Sequence, residues 1–133
     1  MPLVRIDMKQ GRDAAARRAI ADAVHTALVE AIGIPPDDRF QIVTEHAADN
    51  LIVDPHYLGI ARSDAALTVQ INLRRGRSVE LKQALYRAIV EKLRHADVRP
   101  EDVLICLTEN GVEDWSFGNG LAQYVEASRQ TAT

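Results

Sequence analysis

An α/β fold, in which a duplicated β-α-β unit forms a four-stranded sheet with two helices on one face, follows from three observations in the sequence. Residues 4–45 and 69–109 repeat one pattern. Within each copy the apolar period changes from two residues to about four. Glycine and helix-capping residues stand where the period changes. In the first copy Val4, Ile6 and Met8 alternate and Gly11-Arg12 follow; in the second Val69, Ile71 and Leu73 alternate and Gly76-Arg77 follow. Later in each copy Pro36, Asp38, Thr44 and Glu45 match Pro100, Asp102, Thr108 and Glu109 after a one-residue deletion.

The elements follow in order. Strands are predicted over 3–8, 40–45, 67–73 and 103–109. Asp13 and Ser78 are good N-caps, because each offers a side-chain oxygen to a free backbone N–H. Gly33 suits the left-handed residue that ends the first helix. Ile20, Val24, Leu28 and Ile32 recur every fourth residue, as do Leu81, Leu85, Ile89 and Leu93, so each helix has one apolar stripe for a sheet to cover. The expected organisation is a single domain over 1–133. Repeat one spans about 2–45, a long loop 46–66, repeat two about 67–109, and a turn or hairpin with a frayed polar tail 110–133. With both helices on one face the other face is uncovered. An apolar face of that size in water predicts packing against further copies of the chain. A loop as long as 46–66 in so small a domain is expected to be functional or to cover a neighbour.

Bulk composition narrows the function classes. Apolar residues make up 47% and charged residues 26% of the 133, an ordinary globular balance. A net charge of -3 argues against nucleic acid as a partner. No apolar run reaches membrane-spanning length, and the N-terminus lacks a signal-peptide pattern. Cys106 is the single cysteine, which leaves no disulfide framework and no cysteine-based zinc site; a reducing cytoplasm is the expected setting. His46 and His56 lack the close spacing of a metal site, so no metal is expected. His25 and His95 fall on helices and are expected at the surface.

Five motifs carry a resemblance: Pro2 directly after Met1, Pro35-Pro36-Asp37-Asp38-Arg39-Phe40, Gly59-Ile60-Ala61-Arg62-Ser63, Arg75-Gly76-Arg77-Ser78, and Trp115-Ser116-Phe117-Gly118. In this order, on a duplicated β-α-β unit, they resemble the tautomerase superfamily, and within it the branch that includes malonate semialdehyde decarboxylase. The resemblance spans about residues 2 to 125. It implies the tautomerase (MIF-like) fold, a homotrimer, and an enzyme with no metal or organic cofactor whose N-terminal proline amine is exposed by loss of Met1. It implies Pro2, Asp38, Arg75 and Arg77 as catalytic residues, with Arg74, Trp115 and Phe117 lining the substrate. Gly76 stands where the decarboxylase pattern has proline, which leaves open whether Arg74 or Arg75 pairs with Arg77.

The chemistry fits those residue types. Proline alone supplies a secondary amine at a chain terminus. Apolar walls such as Trp115 and Phe117 favour its neutral form, a general base beside a carbonyl; the Asp38 carboxylate favours the ammonium, an acid. Guanidinium groups match carboxylate oxygens, and Arg77 stands just before a helix, where free N–H groups also favour anions. The expected reaction is keto–enol tautomerisation of a small oxo acid, with decarboxylation of a 3-oxo acid such as malonate semialdehyde as the leading variant. The alternative is a non-catalytic oligomeric or ligand-binding module of the same fold.

Overall fold

The computed structural model describes residues 1–131. Four strands, β1 (Leu3–Lys9), β2 (Gln41–His46), β3 (Leu67–Arg74) and β4 (Val103–Asn110), form one sheet in the order β2-β1-β3-β4. β1 runs parallel to β2, β3 parallel to β4, and β1 antiparallel to β3. The two β-α-β units therefore join through their first strands. Val4 pairs with Ile71, Ile6 with Val69, and Arg5 with Gln70. Arg5 thus faces its own repeat mate, Val4 and Ile6 exchange mates across it, and a pseudo-two-fold axis passes between Arg5 and Gln70.

Helices α1 (Ala14–Ile32) and α2 (Val79–Arg94) lie on one face and pack against each other. Their caps form as expected: Asp13 accepts from the N–H of Ala16 at 2.8 Å and Ser78 from that of Leu81 at 3.2 Å. Gly33 ends α1 with φ 72°, a conformation that costs other residues a Cβ clash. Val4, Ile6 and Met8 of β1 and Leu67, Val69, Ile71 and Leu73 of β3 bury against Ile20, Val24 and Leu28 of α1 and Leu85, Ile89 and Leu93 of α2. Alternation is what makes this core: every second strand residue points at the helices.

Three expectations change. The open sheet face is not an apolar plane. It carries Arg5, Asp7, Thr68, Gln70, Asn72 and Cys106 between the apolar Leu3, Ile42 and Leu104, because the same alternation that fills the core puts polar residues outside. His25 is buried rather than at the surface. Its Nε2–H donates to the Pro36 carbonyl at 2.8 Å, which ties α1 to the turn before β2. After β4 the turn alternative forms (Val112–Asp114), but in place of a frayed polar end a loop leads to a third helix, α3 (Gln123–Thr131). Gln123 fixes that loop, accepting from the Phe117 N–H and donating to the Gly118 carbonyl, each at 2.9 Å. Residues 132–133 of the expected tail lie outside the described residues.

The two aspartates matched by the repeat hold different partners. Asp102, 1% exposed, accepts from the N–H of Ser63 at 2.8 Å and its hydroxyl at 2.6 Å, anchoring the end of the long loop beside β4. Beside it, Arg12 donates to the Ala65 carbonyl at 2.7 Å. Asp102→Ala should destabilise the fold by roughly 3 kcal/mol, since hydrogen bonds to a charged group are worth about 1.5–3 kcal/mol each. Urea unfolding monitored by circular dichroism measures it, and Ser63→Ala should cost less because its backbone bond survives.

Candidate active site

The first strand is an interior strand, paired on both sides, so the chain begins inside the protein. Met1 and Pro2 are both buried. The Met1 ammonium donates to the Asp38 carboxylate in a largely buried ion pair. Asp38 reaches it from a turn closed by its own N–H on the Pro35 carbonyl at 3.0 Å, and the Val4 N–H on the Phe40 carbonyl starts the β1–β2 ladder two residues on. Loss of Met1 would bring the Pro2 nitrogen to the chain end and vacate the space its side chain fills.

The arginines come from the end of β3. Consecutive residues of an extended chain project to opposite sides, so Arg74 and Arg75 cannot both share a surface with Arg77. Arg74 does. The Arg75 N–H continues the ladder onto the Asn110 carbonyl at 2.8 Å. Gly76 then turns the chain with φ 123°, outside the range other residues adopt easily. That turn brings Arg77 back, its guanidinium donating to the Arg74 carbonyl at 2.9 Å. Met1, Asp38, Arg74, Arg77 and Tyr124 line one cavity of about 290 Å3, with Ile34 and Pro35 on its wall. Arg75 is absent from that lining. Of the two residues left open by the sequence, Arg74 shares this cavity with Arg77.

Burial lowers the pKa of Arg77 below the ordinary guanidinium value, repulsion from Arg74 lowers it further, and Glu109 works against both. A guanidinium does not lose its proton in proteins. Two crowded cations facing a cavity with one carboxylate, itself engaged by the terminal ammonium, leave a place where an anion relieves the repulsion.

Trp115 and Phe117 stand one step away. They line a second, shallow cavity of about 400 Å3 with Leu3, Phe40, Asn72 and Asn110. Trp115 stacks on Phe117 with ring centroids 5.6 Å apart and donates its indole N–H to the Asn110 side chain at 2.6 Å. Phe117 also meets Phe40 at 5.8 Å and the edge of Tyr124 at 5.2 Å. Tyr124 thus connects the aromatic cluster to the cavity that holds Asp38 and the arginines. Sequence reasoning did not single it out, because it lies in a polar stretch whose helix was not expected.

A duplicated β-α-β sheet, with Met1 set against a carboxylate and two arginines lining the same cavity, defines a class of α/β proteins with a site at the start of the first strand. Comparison with known proteins agrees. A family profile described as "Tautomerase enzyme" matches residues 38–118, and a second of the same description matches residues 2–61. A Bacillus subtilis (strain 168) protein described as probable tautomerase YusQ is 38% identical, over 95% of this chain and 100% of its own. The structure of FG41 malonate semialdehyde decarboxylase inhibited by 3-bromopropiolate is 46% identical, with a TM-score of 0.91 over 95% of this chain and 96% of that one. A fused 4-OT wild-type protein, described as a symmetric trimer, is 31% identical with a TM-score of 0.75 over 90% of this chain and 94% of its own. The chain belongs to the tautomerase family.

The placement of the arginines predicts a pattern of mutant effects. Arg74→Ala and Arg77→Ala should each lower kcat/KM for a small oxo acid by about tenfold to a hundredfold, from the loss of charge-assisted hydrogen bonds. Arg75→Ala should change it by less than about threefold. Turnover of the neutral ester of the same acid should fall much less in the first two variants. Equal losses for acid and ester would show that neither arginine anchors the carboxylate.

Proposed function

We propose that the Pro2 amine, freed by removal of Met1, acts on a small oxo acid held by Arg74 and Arg77, without a metal or organic cofactor. The observation that carries this reading is the shared cavity of the chain terminus, Asp38, Arg74 and Arg77. The basic chemistry is keto–enol tautomerisation: the neutral amine takes the enol O–H proton and returns it to carbon as the ammonium. Asp38 holds the ammonium form between the two transfers. The arginines hold the carboxylate and stabilise negative charge on the neighbouring oxygen.

Likeness to malonate semialdehyde decarboxylase favours a particular substrate, the 3-oxo acid malonate semialdehyde. There the ammonium would donate to the aldehyde oxygen. The bond to the carboxyl carbon breaks, and its electron pair forms the carbon–carbon double bond of the enol as oxygen takes the ammonium proton. Carbon dioxide leaves, and the same amine returns the enol to acetaldehyde. Tight binding of the carboxylate alone would not speed this step. The aromatic surface of Tyr124 and Phe117 favours the neutral product over the anion that entered. The trimer of the fused 4-OT relative supports a trimer here, and no helix of the described residues is long and apolar enough to cross a membrane.

Measurements of mass, activity and assembly test the reading. Intact mass should show the native protein without Met1, and protein of that mass should release acetaldehyde and carbon dioxide from malonate semialdehyde or consume the enol of a small 2-oxo acid. Pro2→Ala should retain part of the activity, because a primary amine remains; an extra residue placed before Pro2 should abolish it. Full activity with a blocked N-terminus would refute the amine's role. Sedimentation equilibrium should give three times the 14.7 kDa chain mass.

A further inference from the structure

Both copies of the β-α-β unit make the same turn before their second strand. In the first the Asp38 N–H closes on the Pro35 carbonyl, and in the second the Asp102 N–H closes on the Arg99 carbonyl, each at 3.0 Å. In the first copy side chains also tie the turn to its own helix. His25 of α1 donates from Nε2–H to the Pro36 carbonyl at 2.8 Å. On the other side of Asp38, Arg39 donates to the Asp22 carboxylate at 2.6 Å and Gln41 to the Ala21 carbonyl at 2.8 Å. One stretch of α1 thus brackets Asp38. The second copy cannot repeat these bonds. Val90 stands at the place of His25, Val103 at that of Arg39 and Ile105 at that of Gln41, and hydrocarbon side chains have no donor.

The difference follows what each aspartate holds. Asp102 is fixed from outside by the N–H and hydroxyl of Ser63. Asp38 meets the chain terminus, a single ammonium. Its own turn must therefore keep it in place. Among the three bonds that of His25 has particular leverage. Pro36 and Asp37 are the central residues of the turn, and rotation of the peptide between them is what interconverts turn types. The Pro36 carbonyl belongs to that peptide. Arg39 and Gln41 hold the chain after Asp38 and leave the peptide free to rotate. His25 is only 9% exposed, and a buried ring nitrogen is costly without a partner.

We propose that His25 is a positioning residue: by fixing the Pro36–Asp37 peptide it holds the Asp38 carboxylate against the amine at the chain terminus, and so sets that amine's affinity for a proton. The proposal rests on the reading of Pro2 as the working amine. The charged and titratable groups that line the cavity of the terminus are Asp38 from the turn, Arg74 from the end of β3, Arg77 from the turn into α2 and Tyr124 from α3. His25 is not in that lining and acts through Asp38. The carboxylate favours the ammonium form and the two guanidinium groups oppose it, so loosening Asp38 lowers the amine's pKa.

Nitrogen NMR titration of the Pro2 amine in processed, proline-labelled protein tests this, with thermal unfolding by circular dichroism as a separate measure of stability. Asp38→Asn is the reference and should lower the amine's pKa the most. His25→Leu removes the donor and keeps an apolar bulk of the kind that α2 carries at Val90. It should lower that pKa by about 1, the low end of what a nearby opposite charge supplies. The pH at which kcat/KM is half-maximal should move with it. His25→Gln places an amide N–H where the ring Nε2–H stands and should restore most of the wild-type value. His25→Asn, polar but too short for the Pro36 carbonyl, should behave as His25→Leu does and takes its place if that variant does not fold. An amine unmoved by Asp38→Asn would overturn its coupling to Asp38, and the role of His25 with it. An amine that responds to Asp38→Asn but not to a folded His25→Leu or His25→Asn protein, whatever their stability, would overturn the role of His25 alone.

Discussion

An interior position for the first strand is the constraint on which the rest of this structure depends. Chain ends normally lie at the surface, where they fray. Here β1 is paired on both sides, and its first residues are carried into the protein before any side chain has contributed. A buried ammonium needs a counter-charge, and the turn before β2 supplies Asp38. The cations that complete the cavity come from the end of β3, which lies beside the start of β1 only because those two strands are antiparallel. One sheet topology therefore places amine, carboxylate and guanidinium groups together from three distant parts of the chain.

Charge is arranged there as an imbalance. Asp38 is matched by the terminal ammonium, and Lys82 and Glu109 form their own pair at 2.6 Å. Arg74 and Arg77 both line the cavity and repel one another, with Arg77 partly desolvated. Such an arrangement is unfavourable when empty and relieved by an anion. It is the opposite of a structural salt bridge, which is neutral before any ligand arrives. The aromatic cluster sets a second boundary. Phe117 is touched by Phe40, Trp115 and Tyr124, so the rings support one another from β2's approach, the turn after β4 and α3.

Much of this was legible in the sequence, for physical reasons that can be named. The repeat fixed four strands to within about a residue at each end, because periods of two and nearly four are imposed by the backbone itself. Asp13, Ser78 and Gly33 cap where they should, since capping is local chemistry. What depends on tertiary contact was harder to read. Helix α3 has a polar sequence and is held by Gln123 and by the ring contact of Tyr124 with Phe117, neither of which leaves a periodic trace. His25 appeared to be a surface residue because its partner is a backbone carbonyl eleven residues away. One signal in the sequence agrees with the cavity lining: extending the repeat back from Gly11-Arg12 sets Lys9 against Arg74 and Gln10 against Arg75, so the position that is basic in both copies is that of Arg74.

The same pseudo-symmetry gives the two ends of the sheet one plan and different tenants. At the Met1 end the chain stops, and a cavity remains between Asp38 and Arg77. At the other end the chain runs on through residues 63–66 and fills the corresponding place: Asp102 grips an N–H and a hydroxyl of Ser63, and Arg12 grips the carbonyl oxygen of Ala65. The filled end is a mould of the vacant one. Nitrogen and hydroxyl against the aspartate, oxygen against the arginine, is the arrangement into which a terminal amine and a small oxygen-bearing guest would fit. Under the proposed function, the main chain at one end thus occupies the place that an amine and an oxygen-bearing substrate would occupy at the other.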